Sequence, residues 1–277
     1  MDWNRTKSIF IFVFLILDIF LYSMYVNRYK EAQSVEILGE KTIEARLKDD
    51  NITYGPLPNS NETATYIIGK AHHFKNNAIN DNQRVSFLDD KQAHLKAIFI
   101  NPVKLRNIND DASLTDFVHT NVKDGDSYAL WKVDREERVA IFFQRKNNRI
   151  FYYNESALLK VQWNLDNEVV MYEQTMIDNI EEMEQQETVI PPLQIFQTLY
   201  NKGLLKSESR IKQVKLGYST FSNLTQTQTQ VLIPTWEVQV ELPDEEIEEY
   251  FVDAIDGKII EIQGDNQLGE EEDWGVE

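Results

Sequence analysis

The chain opens on one long apolar run and then changes to short alternating ones. Residues 8–26 read SIFIFVFLILDIFLYSMYV, and Asp18 is the one charged position among them. A helix of that length rises roughly 28 Å at 1.5 Å per residue, about the hydrocarbon thickness of a bilayer. The run therefore predicts an uncleaved transmembrane helix over 8–26 behind a cytoplasmic tip at 1–7. Trp3 on one side, with Tyr22, Tyr25 and Tyr29 on the other, suits the two interfaces. A cleaved signal peptide would carry a shorter apolar stretch ending in small residues, which LYSMYVNRYK does not supply. A buried core helix of a soluble protein is the remaining alternative. Arg5 and Lys7 precede the run and Arg28 and Lys30 follow it, so basic residues hardly decide the orientation. The long acidic remainder places the N-terminus inside and the bulk outside the cell membrane.

Asp18 is the singular feature of this run. A carboxyl at the bilayer centre costs about 2.5–3.5 kcal/mol on insertion scales and needs a partner, water or a proton. Helical geometry sets Phe14, Leu15, Leu21, Tyr22 and Tyr25 on or beside its face, which is the expected contact surface for another transmembrane helix.

After residue 30 the periodicity shortens. A helix is expected over 34–48, and Tyr54-Gly55-Pro56-Leu57-Pro58 must be extended or turned. Strands follow at 63–74, 84–88 and 93–100. Leu114, Phe117, Val118 and Val122 share one face of a helix over 113–122, and Ser113 with Asp116 resembles a capping box. A meander is expected at 127–133, 138–145, 149–154, 158–165 and 168–177. The acidic stretch 179–187 reads as a loop or exposed helix end. Pro191-Pro192 opens a helix running to residue 202, with Leu193, Phe196, Leu199 and Tyr200 inside and Gly203 as its cap.

Three strands then close the fold. Trp236, Val238, Val240 and Leu242 alternate with Glu237, Gln239 and Glu241, which predicts one buried and one wet face. Asp256-Gly257 signals a tight hairpin within 250–262. The fold class is α+β: a single transmembrane helix, then an ectodomain of antiparallel sheets with helices on one face, in parts 31–109 and 110–264. Residues 265–277 read as a disordered acidic tail.

Charge and composition narrow the function. A formal net charge of -18 argues against binding nucleic acid or anionic lipid headgroups. With no cysteine there are no disulfides, thiolate metal sites or cysteine nucleophiles. His72, His73, His94 and His119 lack metal-ligand spacing, and no nucleophile elbow, P-loop or dinucleotide fingerprint occurs. The Glu245, Glu246, Glu248, Glu249 run reads as a loop cap, and Asp253 with Asp256 lacks the spacing of a calcium loop. No catalytic residue, metal site or cofactor is expected, so the chain reads as no enzyme. Phe142, Phe143, Phe151, Tyr152, Tyr153 and Trp163 cluster in the meander, either as core on both sheet faces or as a docking surface for a second protein.

The opening MDWNRTKSIFIFVFLILDIFLYSMYVNRYK closely resembles the N-terminus of the YycI (WalI) family. The aspartate within the span and the later YGPLP belong to the same resemblance, which runs the length of the chain. EYFVDAIDGKIIEI additionally looks like a PepSY-type hairpin. The resemblance implies a bitopic protein of low-GC Gram-positive bacteria with a YycH/YycI-like extracytoplasmic domain. It implies a non-enzymatic regulator acting with a YycH-like protein on the sensor histidine kinase WalK (YycG), which controls cell-wall metabolism, through transmembrane helix contacts. Asp18 is the one residue carried over from it. A membrane-tethered ligand-binding or PepSY-like protease-inhibitory module is the alternative, and a cell-wall enzyme a third.

Overall fold

The computed structural model describes residues 7, 10–11, 13–24, 41–58, 62–75, 81–220 and 229–262. The expected tail at 265–277, the start of the helix expected over 34–48, and Tyr25 lie outside them. The chain divides into two units, residues 1–49 and 50–277. In the first, residues 13–24 are helical with exposed side chains, and helix α1 (Ile43–Asp49) follows. The Thr42 hydroxyl accepts the Ala45 N–H at 3.3 Å, a side-chain cap for donors that the first turn leaves unpaired. Among the described residues no helix is long and apolar enough to cross a membrane.

The second unit begins with β1 (Thr53–Tyr54), β2 (Thr63–Ala64) and β3 (Ile67–Ala71). Next come β4 (Gln83–Phe87), β5 (His94–Lys104), helix α2 (Asp111–Asn121), β6 (Tyr128–Asp134), β7 (Val139–Lys146), β8 (Arg149–Ile150), β9 (Leu158–Trp163) and β10 (Glu168–Thr175). The chain continues through β11 (Ile177–Glu182), β12 (Glu187–Thr188), helix α3 (Pro192–Asn201), β13 (Arg210–Thr220), β14 (Thr229–Glu241), β15 (Ile247–Asp253) and β16 (Ile259–Ile260). The result is a mixed α+β fold with two seven-stranded sheets, a two-stranded sheet of β2 and β12, and few helices.

The first sheet has the order β4-β5-β10-β9-β7-β6, with β8 on β7, so every strand in it comes from the contiguous segment 83–175. The second has the order β1-β13-β14-β15-β16, with β3 on β14 and β11 on β3. Its strands come from both sides of that segment, which makes the first sheet an insertion into the second. The position 109/110, expected to part the ectodomain, falls inside the inserted segment.

Helix α2 covers one face of the first sheet. Leu114, Phe117 and Val118 pack with Leu95, Phe99, Phe142, Val161 and Tyr172, and Phe99 meets Phe117 edge-on at 5.6 Å. Asp110 caps this helix, its side chain accepting the Ala112 N–H at 3.1 Å. The expected cap, Ser113, lies inside the first turn and accepts the Asn107 N–H instead. The acidic pair Asp110-Asp111 starts the helix earlier because it suits the positive end of the helix dipole. Helix α3 opens on Pro192 and ends before Gly203, at φ +72°, as expected. Its Ile195, Phe196 and Leu199 are buried, and Phe196 meets Tyr54 of β1 at 5.6 Å.

Three local expectations change. The strand expected over 63–74 breaks between β2 and β3, where the Thr65 hydroxyl engages the Met183 and Gln185 carbonyls. The stretch expected as a loop or helix end at 179–187 instead contributes residues 179–182 to β11, which pairs with β3. Ile177, just before the stretch, is 1 % exposed and Ile180 packs against the same cluster, so these two isoleucines seat the strand while Glu181 and Glu182 stay exposed. The hairpin of β15 and β16 closes through a longer loop than Asp256-Gly257 alone. The Asp253 N–H reaches the Lys258 carbonyl at 2.8 Å, and the Asp253 carboxylate accepts the N–H groups of Ile255 and Asp256. Gly257 sits at φ +69°, and a Cβ there would lie 3.0 Å from Ile190 Cδ1. Gly257→Val is expected to destabilise by more than about 1 kcal/mol. An unchanged melting midpoint would contradict the left-handed assignment.

A candidate groove over a buried carboxylate

The face of β14 expected to be wet is half-exposed at Gln239 and Glu241 but covered further along the strand. Thr235 and Glu237, on the side of β14 opposite Trp236, are both 0 % exposed. The covering layer is the segment that follows β8. Rather than extending the meander, residue 151 leaves the first sheet and bridges Tyr218 of β13 in parallel. The Tyr152 N–H donates to the Tyr218 carbonyl at 2.7 Å, and the Tyr152 hydroxyl donates to the Lys215 carbonyl at 3.3 Å.

This crossing is possible because β13 carries Gly217 beneath it. A Cβ at 217 would stand 2.4 Å from Tyr152 Cε2 and 2.5 Å from the Ile150 carbonyl oxygen. Gly217→Val is expected to cost roughly 1–3 kcal/mol through overpacking, read as a lower denaturant midpoint. No shift would mean that the two sheets are not held this closely.

The aromatic cluster is core on both faces of the first sheet. Phe142, Phe143 and Phe151 are fully buried, and Tyr152 and Trp163 nearly so. Trp131 of β6 meets Phe143, Tyr152 and Tyr153 at 5.6–5.7 Å, and Phe251 of β15 meets Tyr152 and Tyr153 at 5.3 and 5.6 Å. Tyr153 is held at φ +47°, a left-handed conformation that costs a bulky residue about 1–3 kcal/mol and persists only where surroundings enforce it. Its hydroxyl accepts from Trp131 Nε1 at 3.3 Å and donates to Glu249 Oε2 at 2.8 Å. Gln239 Nε2 donates to the other Glu249 oxygen at 3.3 Å, and Gln213 Nε2 donates to Glu237 at 3.1 Å.

Two carboxylates thus share one seam. Burial pushes Glu237 up to about 7, against the lowering effect of its Gln213 hydrogen bond; nearby Glu249 raises it further and Lys215 lowers it. Outside the seam an open groove of about 1250 Å³ is lined by Trp131, Tyr153 and Glu249 together with Lys202, Leu204 and Ile259. It includes β15 residues Ile247, Glu249, Tyr250 and Phe251, and among the described residues β16 pairs with Phe251 and Val252.

The remaining candidate residues belong to other elements. Phe14, Leu15, Asp18, Leu21 and Tyr22 are all exposed on the helical residues 13–24. Phe14 and Tyr22 are 58 % and 70 % exposed, so within the described chain these side chains have little cover. His72 lies 3.1 Å from Asp178 and His73 engages the Lys91 carbonyl. Of the acidic run, Glu248 pairs with Lys206 at 2.9 Å, and Glu249 joins the seam. Alternation in β14 marks Glu237 as polar but not as covered; the aromatic triplet 151–153 was the available signal for a second layer.

Residues 32–255 match the family described as YycI protein. No curated protein in the comparison matches the chain. Similar solved structures include an uncharacterized protein from Eubacterium rectale ATCC 33656 at 12 % identity and a TM-score of 0.44, covering 73 % of this chain and 87 % of that one. The Bacillus megaterium YpeB C-terminal domain is 13 % identical at a TM-score of 0.40, over 69 % of this chain and 87 % of that one. YycH from Bacillus subtilis is 11 % identical at a TM-score of 0.39, over 70 % of this chain and 53 % of that one.

Proposed function

The chain belongs to the YycI protein family, and from that premise we propose that it is a non-enzymatic, membrane-anchored regulator of the sensor histidine kinase WalK. It acts with a YycH-like partner, through transmembrane helix contacts and association of the ectodomains, and so adjusts cell-wall metabolism. The observation that carries this reading is the extent of the match, which spans 32–255 and so takes in both sheets up to the end of β15. The apolar side chains of the helical residues 13–24, with Asp18 among them, support an anchor that meets other helices.

An interhelical hydrogen bond from Asp18 contributes about 0.6–2 kcal/mol, enough to bias a kinase between two states a few kcal/mol apart. Asp18→Leu is expected to leave insertion intact while weakening co-purification with WalK or the YycH-like protein and changing a regulon reporter. Asp18→Asn, which keeps a hydrogen-bonding group, should retain most of both. Wild-type behaviour of Asp18→Leu in both assays at equal expression would remove the aspartate from the contact. A C-terminal reporter active only in the cytoplasm should stay silent, and activity there would overturn the topology.

A further inference from the structure

The described chain ends in the groove that Trp131 and Tyr153 wall. The lining takes in Lys258, Ile259, Ile260, Glu261 and Ile262, the last of the described residues. β16 runs antiparallel to β15, with Ile259 opposite Val252 and Ile260 opposite Phe251. β15 itself continues back through Tyr250, Glu249 and Glu248 to Ile247, held along its other edge by β14. The same register, carried on past Ile260, would follow that remaining edge and set Gly264 opposite Ile247, which is 56 % exposed.

The sequence that follows has the chemistry to use this seat. Residues 263–277 read QGDNQLGEEEDWGVE, with Leu268, Trp274 and Val276 as their large apolar side chains. Gly264 and Gly269 give the backbone two places to turn back. Trp274 stands twelve residues beyond Ile262, a tether of at most about 40 Å. So short a tether holds the indole at an effective concentration on the order of 1 mM. An intrinsic affinity of about 0.1 mM then fills the groove roughly nine-tenths of the time. Tryptophan is a strong anchor for such a contact, being large, rigid and apolar with one donor, and half-buried Trp131, Tyr153 and Leu204 offer it a matching wall. Charge acts in the same direction but less strongly. Lys132, Lys202 and Lys258 line the groove against Glu249 and Glu261, an excess of one positive charge on a chain of net charge -18. An acidic segment is therefore repelled less there than by the molecule as a whole.

We propose that residues 263–277 of this same chain are the occupant of the groove: they leave along β15, turn back and seat Trp274 against Trp131, Tyr153 and Leu204. The chain thereby covers its own groove, and any protein that uses it must first displace the segment. The inference does not depend on the identity of the kinase complex or on the anchor.

Hydroxyl-radical footprinting of the purified full chain tests it, with Trp131, Leu204 and Tyr250 as readouts and the buried Trp163 and Trp236 as controls for folding. Trp274→Ala should raise the reactivity of the readouts several-fold and leave both controls protected, and Trp274→Phe should raise it less. A synthetic peptide of residues 263–277, added to Trp274→Ala at about 1 mM, should restore the protection, because it replaces what the tether supplies. Protection in the wild type should survive dilution by about a hundredfold. Equal reactivity of the readouts in wild type and Trp274→Ala would overturn the proposal; protection that then arises only in membranes of the source cells would assign the groove to another protein. Protection lost on dilution would make the occupant a second copy and overturn the proposal equally, as would a peptide that fails to restore it.

Discussion

Replacing Trp236 by alanine is expected to cost the folded protein about 3–5 kcal/mol, the range for truncating a large buried aromatic. Trp236 is 0 % exposed at the centre of β14, between Leu216 of β13 and Val252 of β15. Its Nε1 donates to the Ile190 carbonyl at 2.8 Å, just before α3 begins. The truncation therefore opens a cavity and leaves a buried carbonyl without its donor, two losses that add. Phe is the informative second variant. It refills most of the volume but not the hydrogen bond, and should recover more than half of the loss. Chemical unfolding of the three proteins measures this, and a loss below about 1 kcal/mol for alanine would mean that the site collapses around the gap.

Glu237→Gln should stabilise the protein at neutral pH and flatten its pH dependence. The folded-state value of Glu237 is raised from 4.5 to about 7. A carboxyl raised on folding binds its proton more tightly in the native state. Its favourable contribution is complete below the unfolded value near 4.5 and is lost as pH rises through about 7. At about 1.4 kcal/mol per pH unit, the loss between these limits is on the order of 3 kcal/mol. Glutamine is neutral throughout and can still accept from Gln213. The difference in stability between variant and wild type should therefore be small near pH ~5 and grow toward pH ~8. A difference that does not change with pH would mean that the carboxyl reaches water in the native state.

Much of the fold was legible because its cues are local. Pro192 and Gly203 bound α3, and the alternation from Trp236 to Leu242 gave the buried face of β14. What the sequence could not carry was the pairing of distant segments. β3 lies against β14 and β11, and no property of IIGKA names either partner. The buried state of Glu237 depends on the same long-range fact, since only the crossing of residues 151–153 over Gly217 turns a half-wet strand into a covered one. The anchor face was legible in a different sense. Asp18 stands out by contrast with its neighbours, whereas the groove consists of ordinary residues made unusual by register.

The insertion of one sheet into the other sets an order of assembly on a chain that emerges from its N-terminus. The first sheet has all its strands once residue 175 is available. By then β1 and β3 have long been made, yet β13 and β14, which flank them, are still to come. Those early strands wait with open edges, the kind that pair with whatever arrives first. The wait is thermodynamically mild, since closing a longer loop adds only a logarithmic entropy cost, but it is kinetically long because such distant pairings form slowly. A chain halted shortly before β14 would hold a finished first sheet beside two separate strand pairs, β1–β13 and β3–β11, that only β14 can join, a species for which holding factors and proteases compete.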